Sequence, residues 1–130
     1  MRTFVDTSAL YALLDEGDVN HAAATSIFAG LKGSELVTHA YVFVETVALV
    51  SRRLGREAVA QLIDGVMTVI SVSPVDSRLH QAAVQTYRNS GSSAVNFVDQ
   101  TSFEFMRSNR LVEAFTFDSD YVSAGFELAS

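Results

Sequence analysis

A chain of 130 residues with 48% apolar side chains and no cysteine has room for one hydrophobic core, and it can form no disulfide, thiolate metal centre or cysteine nucleophile. Its net charge of −6 speaks against a generally basic, phosphate-binding surface, although carboxylates gathered around a divalent cation would hide their charge from such a count. No run reaches the roughly 20 apolar residues of a membrane span, and the N-terminal segment meets an acid at Asp6, too early for a secretory signal, so a soluble, unprocessed, cytoplasmic chain is expected.

Short β-branched runs alternate with longer helical patterns, which predicts a single α/β domain over 1–130 with a central, mostly parallel sheet flanked by helices. Thr3-Phe4-Val5 reads as the first strand, and Asp6-Thr7-Ser8 offers caps for a helix carrying Ala9, Leu10, Ala12, Leu13 and Leu14. Asp15, Glu16 and Asp18 form a solvated acidic loop, residues 21–32 a second helix closed by Gly33, and Leu36-Val37-Thr38 a strand. Residues 40–54 hold valines that favour a strand, but fifteen residues without Gly or Pro are too many for one, and helix is the expectation. A helix over 56–64 follows Gly55, then a strand over 68–72 and, set off by Pro74, a helix over 76–89. Residues 90–93 are loop, 97–107 helix, 114–117 strand, and 126–128 a last edge strand.

Four acids break apolar patterns, and an ionised carboxylate taken from water needs a partner, a proton or a metal. Asp6 follows Phe4-Val5, Glu45 is the only charge between Ala40 and Val50, Asp99 lies between Phe97-Val98 and Phe103, and Asp118 follows Phe115-Thr116-Phe117. Asp6 and Asp118 each close a strand, and neighbouring parallel strands bring their carboxyl ends to one edge, where ligands bind. On their helices Glu45 shares a stripe with Tyr41, Val42, Ala48 and Leu49, and Asp99 shares one with Phe103 and Met106, so both face the core or its edge. No set of cationic residues is placed to pair with all four, and Lys32 is the only lysine. Hard oxygen ligands without cysteine favour Mg2+ or Mn2+ over zinc, and such sites commonly serve phosphoryl transfer to water.

Each acid also has an ordinary reading. Asp6 can be an N-cap, Glu45 a helix-surface residue, Asp99 a cap of its own helix, and Asp118 the start of a turn with Ser119 and Asp120. Glu104 is expected to face solvent, His21, His39 and His80 share no motif, and Phe103, Phe105, Phe115 and Phe117 read as core. Arg52, Arg53 and Arg56 make a compact basic patch, either a solvated helix end or a contact for an RNA backbone.

Val5-Asp6-Thr7-Ser8-Ala9-Leu10 resembles the opening motif of PIN domains, and Glu45-Thr46 in an apolar helix their second acidic motif. The run from Asn96-Phe97-Val98-Asp99 to Met106, followed by Ala114-Phe115-Thr116-Phe117-Asp118-Ser119-Asp120-Tyr121, is similar to the C-terminal half of VapC-type toxins and related PIN proteins. The resemblance spans essentially the whole chain. It implies a Rossmann-like PIN fold, Mg2+- or Mn2+-dependent endoribonuclease activity, homodimerisation, and inhibition by a cognate antitoxin. It places metal ligation and catalysis on Asp6, Glu45, Asp99 and Asp118. Thr116 would position water or a neighbouring carboxylate, and Asp120 would either support the ligands or lie on the surface. Tyr121 stands where Phe is common, and Asn96 and Gln100 stand where small residues are frequent. The alternative is a PIN fold that no longer cuts and serves as an RNA- or protein-binding module. A response-regulator receiver would need a late lysine and a haloacid-dehalogenase-type phosphatase a second Asp two residues after Asp6, where Ser8 stands, and the sequence has neither.

Overall fold

The computed structural model describes residues 1–91 and 95–130. Among these, five parallel strands form one sheet in the order β3-β2-β1-β4-β5. Along the chain run β1 (Arg2–Val5), α1 (Thr7–Leu14), α2 (His21–Gly30), β2 (Glu35–His39), α3 (Ala40–Leu54) and α4 (Arg56–Asp64). A 3-10 turn (Val66–Val69), β3 (Ile70–Ser73), α5 (Ser77–Asn89), α6 (Phe97–Ser108), β4 (Glu113–Phe115), α7 (Asp120–Ser123) and β5 (Glu127–Leu128) follow.

The order of strands decides where a ligand can sit. From β1 the chain builds outward through β2 to β3, and it then returns to place β4 on the other flank of β1, with Phe4 opposite Val37 on one side and Ala114 on the other. That reversal opens a crevice beyond the carboxyl ends of β1 and β4, the place where open parallel sheets bind ligands. Asp6 and Asp118 follow those two strands.

The ambiguous segment over 40–54 is a helix because its buried residues, Val42, Thr46 and Val50, recur every four positions while Val44 faces solvent. The side chain of His39 starts it and Gly55, at φ +90°, ends it. Phe4, Leu10, Val42, Val50, Met106, Phe115 and Tyr121 are wholly buried in the core. Taking each such side chain out of water stabilises the fold by roughly 1.5–3 kcal/mol.

Several boundaries differ from the sequence expectation. The predicted strand over 68–72 begins at Ile70, because both the amide and the hydroxyl of Thr68 donate to the carbonyl of Gly65 and wind Thr68 and Val69 into the 3-10 turn. β4 stops at Phe115, short of Thr116 and Phe117, whose polar groups turn to Ser8 and Asp6. α2 ends at Gly30, and Asp76 caps α5 from outside, accepting from Leu79 N at 2.9 Å. The short α7 has no counterpart among the predicted elements. Of the predicted loop over 90–93, Ser92 and Ser93 lie outside the described residues.

Candidate acid site at the carboxyl edge

Asp6 leaves β1 by donating its N–H to the carbonyl of Phe115 at 3.1 Å, so the sheet ladder itself fixes the backbone under its carboxylate. Its carbonyl then accepts from Ala9 and Leu10, starting α1, whose N-terminal dipole favours a negative charge there. The side chain is buried and engaged on both oxygens. Oδ2 accepts from Ser8 Oγ and Thr116 Oγ1, each at 2.9 Å, and Oδ1 accepts from the hydroxyl of Tyr121, also at 2.9 Å. The capping contact from Ser8 N is long, 3.4 Å, so the hydroxyls rather than the cap hold this group.

Ser8 and Thr116 each serve two partners. Ser8 Oγ accepts from Phe117 N at 2.9 Å and Thr116 Oγ1 from Asp118 N at 3.0 Å, which ties the chain after β4 to the start of α1. Asp118 therefore comes down beside Asp6. Its own Oδ1 accepts from Asp120 N at 2.9 Å, opening α7. The turn reading of Asp118 and its place beside the other acids thus hold together.

Glu45 and Asp99 arrive on helices. Asp99 sits in the first turn of α6, its N–H donating to the cap Asn96 Oδ1 at 2.8 Å. Burial, and then the charges of Asp6, Asp118, Glu45 and Asp120, push its carboxyl up to about 8. Burial likewise raises Glu45, with the charge of Asp6 adding to the shift and a hydrogen bond with Thr7 opposing it. Asp6, Glu45, Asp99 and Asp118 line one cavity of about 380 Å³, together with Ser8, Arg52 and Asn96 among others. Asp99, Asp118 and Asp120 each bring one carboxylate oxygen within 4.8 Å of the other two. Acids from four separate elements thus face one another across a single opening.

The three arginines do not form one patch. Arg52 lines the acid cavity, Arg53 lies over the ring of Tyr11 at 5.4 Å, and Arg56 is exposed at the start of α4. Glu104, expected in solvent, is half-buried and accepts from Thr86 Oγ1 at 2.9 Å, because α5 packs along α6. Asp15 is not simply solvated either, since Tyr11 donates its hydroxyl to it at 2.6 Å. Phe117 is only partly buried.

Two contributors escaped the sequence reading. Tyr121 is wholly buried against Phe4, Phe103 and Phe126, and burial together with the Asp6 charge holds its phenol well above the usual range, so it remains a donor. The clue was a tyrosine in an apolar position, whose hydroxyl has to find a partner. His39 is also wholly buried, and burial lowers its pKa to about 4. Its Nδ1 accepts from the N–H groups of Tyr41 and Val42, so in the neutral ring Nε2 carries the proton and donates to Ser102 Oγ at 2.9 Å. No signal in the sequence joins His39 to Ser102.

The PIN-domain family model matches residues 3–127. The chain is 37% identical to the 23S rRNA-specific endonuclease VapC20 of Mycobacterium tuberculosis over 124 residues, 95% of this chain and 94% of that one. It is also similar to the crystal structure of that protein, described as a sarcin-ricin loop cleaving toxin, with a TM-score of 0.87, 34% identity and 95% of both chains covered. The fold is shared with FitAcB of Neisseria gonorrhoeae, at a TM-score of 0.74, 14% identity and coverage of 100% of this chain and 97% of that one. It is shared as well with VapBC2 of Rickettsia felis, solved with a promoter DNA fragment, at 0.70 and 11% with 98% and 97% covered.

Proposed function

The chain belongs to the PIN-domain family, and from that premise we propose that it is a metal-dependent endoribonuclease of the VapC toxin type, hydrolysing RNA phosphodiester bonds. The observation that carries this reading is the meeting of Asp6, Glu45, Asp99 and Asp118 around one cavity. A buried cluster of acids, in which burial and then the neighbouring charges push Asp99 up to about 8, is costly unless something cationic enters, and the oxygen-only donor set fits Mg2+ or Mn2+. Those four residues would hold the ion, with Asp120 beside Asp99 and Asp118 as a further oxygen donor. When bound, such an ion supplies Lewis-acid chemistry, acidifying water and offsetting the charge that gathers on the scissile phosphate.

The chain's own groups do the rest. Ser8 and Thr116 hold the Asp6 carboxylate and the strand end that bears Asp118. Asp99, its carboxyl pushed up to about 8 by burial and the neighbouring acids, would have to give up its proton for a cation to be held there. Arg52 at the cavity is placed to contact an RNA phosphate, a role that the positions of Arg53 and Arg56 support less well.

The 37% identity with a 23S rRNA endonuclease supports ribosomal RNA as the first substrate to try. The likeness to a solved structure described as that of a toxin supports an antitoxin as partner, one that would bring a basic side chain to the acids. A second copy of this chain is the proposed occupant of the apolar face formed by Tyr41, Val44, Phe97 and Val98, which adjoins the acid cavity through Glu45. Among the described residues no helix is long and apolar enough to cross a membrane, and the cytoplasm is the proposed location. The test is incubation of purified protein with 23S rRNA and a panel of structured RNAs in Mn2+ or Mg2+, beside EDTA and Asp99→Asn controls. Cutting lost in both controls is expected. An absence of cutting on every RNA, with no Mn2+ binding by calorimetry, would leave only a binding module.

A further inference from the structure

A carboxylate turns about its Cβ–Cγ bond in a broad, roughly two-fold well. Donors on one oxygen leave that turn partly free, whereas donors on both fix the plane of the group. Asp6 is held in the second way. The hydroxyls of Ser8 and Thr116 reach Oδ2, while the hydroxyl of Tyr121, 115 positions away in sequence, reaches Oδ1. Each carboxylate oxygen offers two acceptor sites. Ser8 and Thr116 use both on Oδ2, and Tyr121 uses one on Oδ1, so Oδ1 is the oxygen with a site to spare.

We propose that Tyr121 is a positioning residue of the acid site: its buried hydroxyl fixes the rotation of the Asp6 carboxylate and leaves Oδ1 as the oxygen that takes a divalent cation. The ring alone does not account for a tyrosine here. Phenylalanine would fill the same space between Phe4 and Phe103, whose rings lie 6.2 and 4.9 Å from that of Tyr121. The hydroxyl adds a group that is expensive to bury without a partner, and at 2.9 Å it has Asp6. Because α7 carries the tyrosine, the last helix of the chain is what orients the acid that follows the first strand.

The proposal rests on the acid site being a cation site, and the test separates the clamp from the nuclease reading. Tyr121→Phe keeps the ring and removes the hydroxyl. In metal-free protein the Asp6 carboxyl 13C resonance should shift and broaden, and the Mn2+ dissociation constant from calorimetry should rise about tenfold. Phe103→Leu, which loosens the same aromatic cluster, should lower the melting temperature and move neither readout. If Tyr121→Phe lowers the melting temperature but leaves the resonance and the Mn2+ isotherm unmoved, the tyrosine is packing alone and the proposal falls. A wild-type protein that cuts no RNA, but whose Asp6 resonance responds to Tyr121→Phe, loses the nuclease reading and keeps the clamp.

Discussion

His39 and Ser102, 63 positions apart, meet at 2.9 Å inside the core and join the helix that carries Glu45 to the helix that carries Asp99. Nε2 donates to Ser102 Oγ, while Nδ1 starts α3 by accepting from Tyr41 and Val42. The spacing of two of the four acids therefore depends on a neutral imidazole.

Replacing His39 by alanine removes a helix cap, a buried hydrogen bond and ring volume at once, and should cost roughly 2–4 kcal/mol of stability. Urea unfolding checks this. The pH dependence has a definite sign: with its folded pKa lowered to about 4 from 6.5, His39 contributes stability that is present above pH 6.5 and lost as pH falls through 4. His39→Ala should flatten that acid limb. An equally steep limb in the variant would place its origin elsewhere.

Asp99 gives the opposite slope. With its folded pKa raised to about 8 from 3.8, the native state binds the extra proton between those values, so the metal-free protein loses stability as pH climbs from 4 to 8. Asp99→Asn should melt a few degrees above wild type at pH 8 in EDTA, and near it at pH 4. With Asp99 as a proposed ligand, cation binding would expel the same proton, so Mn2+ affinity should climb toward tenfold per pH unit below 8 in calorimetry. An affinity that is flat across that range would mean that Asp99 is no ligand.

Arg52 and Arg56 separate the cavity from the general surface. Arg52→Ala should raise KM for RNA several-fold and reduce the salt dependence of binding by about one counterion, whereas Arg56→Ala should change either much less. Binding measured across a series of KCl concentrations distinguishes them. Equal losses in both variants would return the arginines to a diffuse patch.

Val44, 62% exposed on the apolar face beside Glu45, is where a charge should separate two copies. Light scattering coupled to size exclusion should report a dimer for wild type and a monomer for Val44→Asp. A wild-type monomer at tens of micromolar would remove the pairing from this face.

How much of this was written in the sequence differs from residue to residue. Asp6 and Asp118 were legible because an acid that follows an apolar β-run lies at or just beyond a strand's carboxyl end, with Thr116 and Phe117 between β4 and Asp118, and parallel strands share one such edge. Glu45 and Asp99 were legible as intruders on apolar stripes, but their arrival at that edge depends on how α3 and α6 pack, which no local pattern states. Local hydrogen bonding overrode β-propensity at Thr68, where the Gly65 carbonyl captures both its amide and its hydroxyl. The arginines looked equivalent because sequence proximity ignores the ring of Tyr11, which takes Arg53 away from the cavity. In the sequence Tyr121 shows only as a tyrosine where Phe is common, since its partner Asp6 is 115 positions away.

The strand at the centre of the sheet precedes the other four in sequence, yet β4, one of its two neighbours, follows only after β2 and β3. While synthesis is under way, β1 can pair with β2, but Asp6 waits for Thr116 and Tyr121 to emerge. Long-range parallel pairing of this kind is slow and comes late in folding. For a nuclease proposed to attack ribosomal RNA, this topology would leave the acid edge incomplete in a nascent chain until residues 113–121 are available to pair.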